Sequence, residues 1–226
     1  MDSPTWNADF SADQLLADVV RFFHSGGVLM SERAIMPLAK KITLLGLIVL
    51  AITLLMINHD NHRYKRSIES YSIPDVTLIN QDGQQVQLIE YLNTDKPVIL
   101  QFIYTACTTV CPGMMVKFTN LQRRMEPDTE QALMVSISID PENDTPEVLT
   151  GYSKSYQAQP GWDFLTGSPE DIHTVMSAFN TQPTDMSTLD SPVLLRAPGE
   201  DHWLRLAGEI NSRTFWEEYQ KISQKK

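Results

Sequence analysis

Hydrophobic and polar positions along this chain fall into distinct regimes. Residues 11–27, SADQLLADVVRFFHSGG, place Leu15, Leu16, Val19, Val20 and Phe23 on one helical stripe. Ser11 with Gln14 forms a capping box for that helix, and Gly26-Gly27 stops it. The stretch Ile42–Ile57, ITLLGLIVLAITLLMI, carries no charge. As a helix at 1.5 Å per residue it runs roughly 24 Å. Pro37, Leu38 and Ala39 extend it, and the stems of Lys40 and Lys41 can lie along the apolar boundary with their ammonium groups in water. A core helix of this length would keep a polar face, so the run predicts a membrane span over 42–58. No small-residue cleavage site follows it, which predicts an anchor that is retained. The sequence MSERAIMPLAKK ahead of the run has the form of a charged segment before an anchor, making Met30 a second candidate start. Residues 59–72 are polar and predict a juxtamembrane linker.

From Ile73 the periodicity changes. DVTLINQDGQQVQLIEYL alternates about Asp82-Gly83 and predicts a hairpin. The apolar runs KPVILQFIYT, 96–105, and ALMVSISID, 132–140, predict strands buried on both faces. MMVKFTNLQRRM has helical spacing. TPEVLTGYSKSYQ and SPEDIHTVMSAF each open on a cap followed by proline, Thr145-Pro146 and Ser168-Pro169, and predict helices on either side of a strand in GWDFLTG. PVLLRAPGEDHWLRLAG predicts a hairpin turning at Pro198–Asp201, and NSRTFWEEYQKIS a closing helix. Strands alternating with helices, then a hairpin and a helix, predict an α/β fold with a central mixed sheet flanked by helices. The predicted organisation is therefore a tail over 1–41, an anchor over 42–58, a linker over 59–72 and a globular domain over 73–226.

Charge narrows the class of partner. Residues 1–66 hold six acidic and seven basic side chains, whereas the remainder holds 22 acidic and 11 basic. No basic cluster could grip a phosphate backbone, so nucleic acid is not an expected partner, while a metal cation or a basic protein is electrostatically easier. Basic residues flank the apolar run almost equally, Arg33, Lys40 and Lys41 before it and Arg63, Lys65 and Arg66 after it. Charge alone therefore does not orient the span. His59 and His62 lie in the polar linker stretch, where a metal would lack further fixed ligands.

The candidate chemistry lies in FIYTACTTVCPGMM, which holds the chain's two cysteines, Cys107 and Cys111, between a buried strand and a helix. Open sheets place ligands at this end of a strand. A helix N-terminus favours the thiolate, the species that attacks disulfides and binds soft metals. A disulfide across so short a loop would add little by chain entropy. Two neighbouring thiolates suit Cu(I), with one more ligand completing a trigonal site. On the residues alone a structural bridge, a metal site and a redox dithiol all stay open.

These residues resemble the signature of the Sco/SenC family of membrane-anchored, thioredoxin-fold copper chaperones, which carry a C-x3-C-P motif. SISIDPENDTPEVLTGYSKSY and GWDFLTGSPEDIHTVMSAF are similar to the family's following segments, and the likeness covers roughly residues 73–223. It implies a thioredoxin-like domain that delivers copper to, or matures, the dinuclear copper centre of cytochrome c oxidase, by handing over copper, reducing acceptor cysteines, or both. It also implies a single-pass protein of the bacterial inner membrane with an extracytoplasmic, periplasmic domain and residues 1–41 in the cytoplasm. The expected partners are the copper-bearing oxidase subunit or another copper or thiol protein, together with membrane lipid around the span.

In the family, copper is held by the two motif cysteines and a distant histidine. Here the matching context reads STLDSPVLL, residues 187–195, with Asp190 where the histidine is expected. A carboxylate is a hard ligand and a poor third partner for Cu(I). Cys107 and Cys111 thus remain as redox dithiol and copper ligands, with the third ligand open. His173 falls on a predicted helix and His202 in a predicted turn far from the cysteines. Met114 and Met115 are near in sequence and soft enough, although core filling accounts for them. Asp190 is also a candidate proton acceptor for the dithiol, or a turn residue beside Pro192, and a cis Ser191-Pro192 bond would match the thioredoxin-fold loop opposite the cysteines. Asp140, Glu142 and Asp144 form an acidic loop that capping and turn chemistry explain. The departure at Asp190 leaves an alternative to the copper chaperone: a thiol–disulfide oxidoreductase without a stable copper site, since exchange needs only an attacking and a resolving thiol.

Overall fold

The computed structural model describes residues 43–54, 64–181 and 192–224, and the chain divides into two units, Met1–Asn58 and His59–Lys226. In the first unit residues 43–54 form a helix, α1, in which the Thr53 hydroxyl donates to the carbonyls of Val49 and Leu50. Among the described residues no helix is long and apolar enough to cross a membrane. The expected amphipathic helix of residues 11–27, the remaining residues of the expected span and His59 and His62 lie outside the described residues.

The second unit is built on one eight-stranded mixed sheet. Its strands are β1 (Tyr64–Ser70), β2 (Thr77–Asn80), β3 (Gln85–Gln87), β4 (Val98–Ile103), β5 (Leu133–Ser138), β6 (Trp162–Thr166), β7 (Val193–Arg196) and β8 (His202–Gly208), in the spatial order β1-β8-β7-β4-β5-β6-β2-β3. β4 and β5 run parallel, as do β5 and β6, while β7 runs antiparallel to β4. The helices are α2 (Leu88–Leu92), α3 (Val110–Met125), α4 (Pro146–Ser155), α5 (Pro169–Ala178) and α6 (Ser212–Ser223).

Every residue of β4 is buried, because helices cover both faces of a central strand. Its side chains alternate between two cores. Leu100 and Phe102 pack with Val135, Phe179 and Trp203 on one face, whereas Ile99 and Ile103 pack with Phe118, Phe164 and Phe215 on the other. The helix α3 seals the second face through Met115, Phe118, Leu121 and Met125, which recur at three- and four-residue steps. The Phe118 ring lies 5.6 Å from that of Trp162 and 5.3 Å from that of Phe215. The predicted caps form: the Thr145 side chain accepts from Val148 N–H and that of Ser168 from Asp171 N–H. The hairpin between β2 and β3 turns through Gly83 at φ 77°, with the Asn80 carboxamide accepting from the N–H groups of Asp82 and Gln84.

Two expectations need correction. The stretch 59–72, expected as a linker with the domain starting at 73, contains β1, which pairs with β8 from Tyr64↔Gly208 to Ser70↔His202. Five of its seven residues are exposed, so an edge strand paired on one side shows no apolar alternation to reveal it. Buried Glu218 on α6 fastens it, accepting from Arg66 Nε at 3.1 Å and from Lys221 Nζ at 2.7 Å. The second correction is within LIEYL, expected to continue the first hairpin. It winds into α2 because Leu88 and Leu92 are both fully buried at helical spacing.

Candidate active site

The chain leaves the sheet after Ile103, turns through residues 104–109 and enters α3 at Val110. Cys107 lies in that turn, held by its own N–H donating to the Tyr104 carbonyl at 3.2 Å. Cys111 is the second residue of α3, and Pro112 occupies a first-turn position that has no intrahelical partner for an N–H. Thr109 stands at the N-cap, yet its side chain makes no capping bond. Cys107 caps the helix in its stead, since its Sγ accepts the Cys111 N–H at 3.4 Å and lies 3.7 Å from Thr109 Oγ1. A sulfur in the place of a capping oxygen faces N–H groups that favour negative charge. Both cysteines are free thiols, 5% and 3% exposed.

The same arrangement gives the two sulfurs opposite acidities. At Cys107 burial disfavours the thiolate, but the Cys111 N–H and thiol and the Thr109 N–H and hydroxyl together outweigh it and bring the pKa down to about 6. At Cys111 burial dominates; the Tyr104 main chain opposes it, while the Cys107 sulfur and the charge of Asp144 add to it, and the pKa rises to about 12. The Tyr104 phenol is pushed upward by its hydrogen bond to Cys107 and by that sulfur's charge. One sulfur is therefore ionised at neutral pH and its neighbour protonated, the arrangement of an attacking and a resolving thiol.

Beside Cys111 a cleft of about 220 Å³ opens over β4, lined among others by Gln101, Thr109, Met114, Lys117 and Glu209. Gln101, the one polar residue of β4, donates through Nε2 to Ser136 Oγ at 2.8 Å and meets Met115 Sδ at 3.4 Å, while its Oε1 has no partner. Burial lowers the Lys117 pKa against the pull of Glu209.

The turn thus brings Cys107 and Cys111 together, and Met114 borders the cleft next to Cys111 while Met115 fills the core. Asp190 and Ser191 lie outside the described residues. His173 is exposed on α5, and His202 starts β8 opposite Ser70, whose Oγ is 2.8 Å from its Nδ1. The register of β8, β7 and β4 sets that position at the end of the sheet away from the cysteines. Among the described residues no three His, Cys, Asp or Glu side chains gather as a metal-binding group. The acidic loop separates: Glu142 is exposed and Asp144 is buried. Sequence reasoning assigned Asp144 to capping and turn chemistry and missed Gln101. The polar interruption of the run VILQFI was the signal for Gln101.

A sequence model of the SCO1/SenC family matches residues 67–192. A curated relative, the SCO1 protein homolog of Bacillus subtilis, is 37% identical over 99 residues, covering 43% of this chain and 50% of that protein. The chain spans about half the length of the curated relatives it matches. Among solved structures, BsSco, a member of the Sco family of cytochrome c oxidase assembly proteins in which a disulfide switch was identified, aligns with a TM-score of 0.58 at 28% identity, over 71% of this chain and 98% of that one. Arabidopsis thaliana ScoI with copper bound aligns with a TM-score of 0.54 at 27% identity, over 66% of this chain and 96% of that one. The mixed sheet with flanking helices is thioredoxin-like.

Proposed function

The chain belongs to the SCO1/SenC family, and from that premise we propose that it uses the Cys107–Cys111 dithiol in delivering copper to, or maturing, the copper centre of cytochrome c oxidase. The observation that carries this reading is the pair of neighbouring sulfurs at a helix N-terminus, one already ionised near neutral pH. Copper is cargo in this reading. Thiolates are the soft donors Cu(I) prefers, and Cys107 and Cys111 are the two ligands this chain offers it. The third ligand is open, with Asp190 at the expected histidine position. The partners are the copper-bearing oxidase subunit or another copper or thiol protein. Residues 42–58 hold the chain in the bacterial inner membrane by one span, with 1–41 cytoplasmic and the catalytic unit extracytoplasmic. A copper-bound relative and a relative described as an oxidase assembly protein support the assignment.

The experiment is Cu(I) competition against a chelator of known affinity, on the reduced full chain and on Cys107→Ser with Cys111→Ser. Tight binding that both substitutions abolish supports copper handling, and the lack of a tight site in the unsubstituted protein refutes it.

A second reading is favoured by the opposed acidities of the two thiols: thiol–disulfide exchange without a stable copper site. The Cys107 thiolate attacks a partner disulfide and releases one partner thiolate. Cys111 then loses its proton, attacks the mixed disulfide at Cys107, and frees the second. The chain ends as the Cys107–Cys111 disulfide and the acceptor as a dithiol, with two electrons transferred. Reduced acceptor cysteines are also what a copper centre needs before it is loaded.

A further inference from the structure

The loop that follows β5, Asp140-Pro141-Glu142-Asn143-Asp144, is not uniformly a solvated acidic turn. Asp140 is bonded locally, accepting from Asn143 Nδ2 at 2.9 and 3.0 Å. Asp144 points the other way and is 1% exposed. Its Oδ2 accepts from Ser138 Oγ at 2.5 Å and from the Thr105 N–H at 3.1 Å, and its Oδ1 from Thr105 Oγ1 at 2.5 Å. These donors are all neutral. Ser138 is the last residue of β5, and Thr105 sits two residues before Cys107, just past the end of β4.

A carboxylate is costly to bury against neutral donors, and capping alone does not demand it, because Thr145 supplies the cap of α4. What the bonds do is tie the loop bearing the first sulfur to the ends of the two central parallel strands.

We infer that Asp144 is a positioning residue of the dithiol: its carboxylate, bonded to the Thr105 N–H and hydroxyl and to Ser138 Oγ, locks Thr105, and with it the Cys107 loop, onto the ends of the two central parallel strands. This rests on the reading of Cys107 and Cys111 as a redox dithiol.

The test is the rate of Cys107 alkylation by iodoacetamide in the reduced full chain, beside redox equilibration with glutathione, in which two glutathione thiols supply the electrons and become glutathione disulfide. Thr105→Val loses one tether and is expected to change the Cys107 alkylation rate more than about fivefold, with Thr105→Ser restoring it. Asp144→Asn, which turns one acceptor into a donor, is expected to change that rate in the same direction and by at least as much. Rates within about twofold of the unsubstituted protein in both variants overturn the inference. Should Asp144→Asn fail to fold, Thr105→Val decides alone, and unchanged alkylation at Cys107 overturns it. If the unsubstituted chain forms no reversible couple with glutathione, it is the dithiol reading that fails, which keeps the two failures distinct.

Discussion

The acidity of Cys107 has a kinetic signature that the depth of the site does not obscure. The perturbation is pH, applied to the reduced protein and to Cys111→Ser, in which the main-chain N–H on the Cys107 sulfur is retained. With a pKa of about 6 in place of the ordinary 9, Cys107 is about nine-tenths thiolate at pH 7, against about one-hundredth for an ordinary thiol. The more acidic thiolate is also the weaker nucleophile. A Brønsted slope of about 0.45 over three units lowers its intrinsic reactivity about twentyfold, so the net gain at pH 7 is only about fourfold. Absolute rates fall further because the side chain is 5% exposed. The ratio between two pH values removes both corrections. From pH 7 to pH 5 an ordinary thiol slows about a hundredfold, whereas Cys107 should slow only about tenfold and plateau above about pH 7. The assay is iodoacetamide trapping with mass spectrometry resolving the two cysteine sites; Cys111, at a pKa of about 12, should label last. A Cys107 rate still climbing tenfold per unit between pH 7 and 8 would refute the account of the helix-terminal thiolate.

Two further outcomes concern the scaffold. Glu218→Gln should cost about 1–2 kcal/mol at neutral pH in urea unfolding, below the usual loss for a buried pair because Arg66 and Lys221 are 48% and 61% exposed and rehydrate. Although burial opposes it, hydrogen bonds from Lys221 and Arg66 lower the Glu218 pKa, so the stabilisation is present above the ordinary carboxyl range and is lost as pH falls through the lowered folded value; a gap that did not shrink on acidification would contradict this. Gly161→Ala should destabilise by more than about 2 kcal/mol, since φ is 91° and a Cβ would meet the Thr129 carbonyl oxygen at 2.7 Å. An unchanged denaturation midpoint would sink that expectation.

What the sequence made legible was whatever local chemistry decides. Thr145-Pro146 and Ser168-Pro169 set helix starts within one turn, and the mainly apolar runs at 98–103 and 133–138 read as central strands. Cys107 and Cys111 could be placed at a strand-to-helix turn because their flanks carry opposite periodicities. Tertiary partners decided the rest. β1 is a strand because β8 offers it an edge and Glu218 a counter-charge, neither visible in YKRSIES itself. Asp144 reads as a turn residue until Thr105, 39 positions away, is folded against it. The split between the thiols likewise depends on which sulfur points at the Cys111 N–H, a matter of ångströms and not of spacing.

The pairing of β1 also bears on how the second unit can be cut from the chain. A fragment begun at Ile73, where the hydrophobic pattern first declares itself, would strip the outermost ribbon and bare the hydrogen-bonding rim of β8, which carries the buried apolar residues Trp203, Leu204 and Leu206. Such a rim invites another chain to dock as a substitute. The short polar strand ahead of the first obvious one therefore serves as a gunwale: it keeps a sticky seam closed, and any excision meant to yield a well-behaved monomer has to leave it in place.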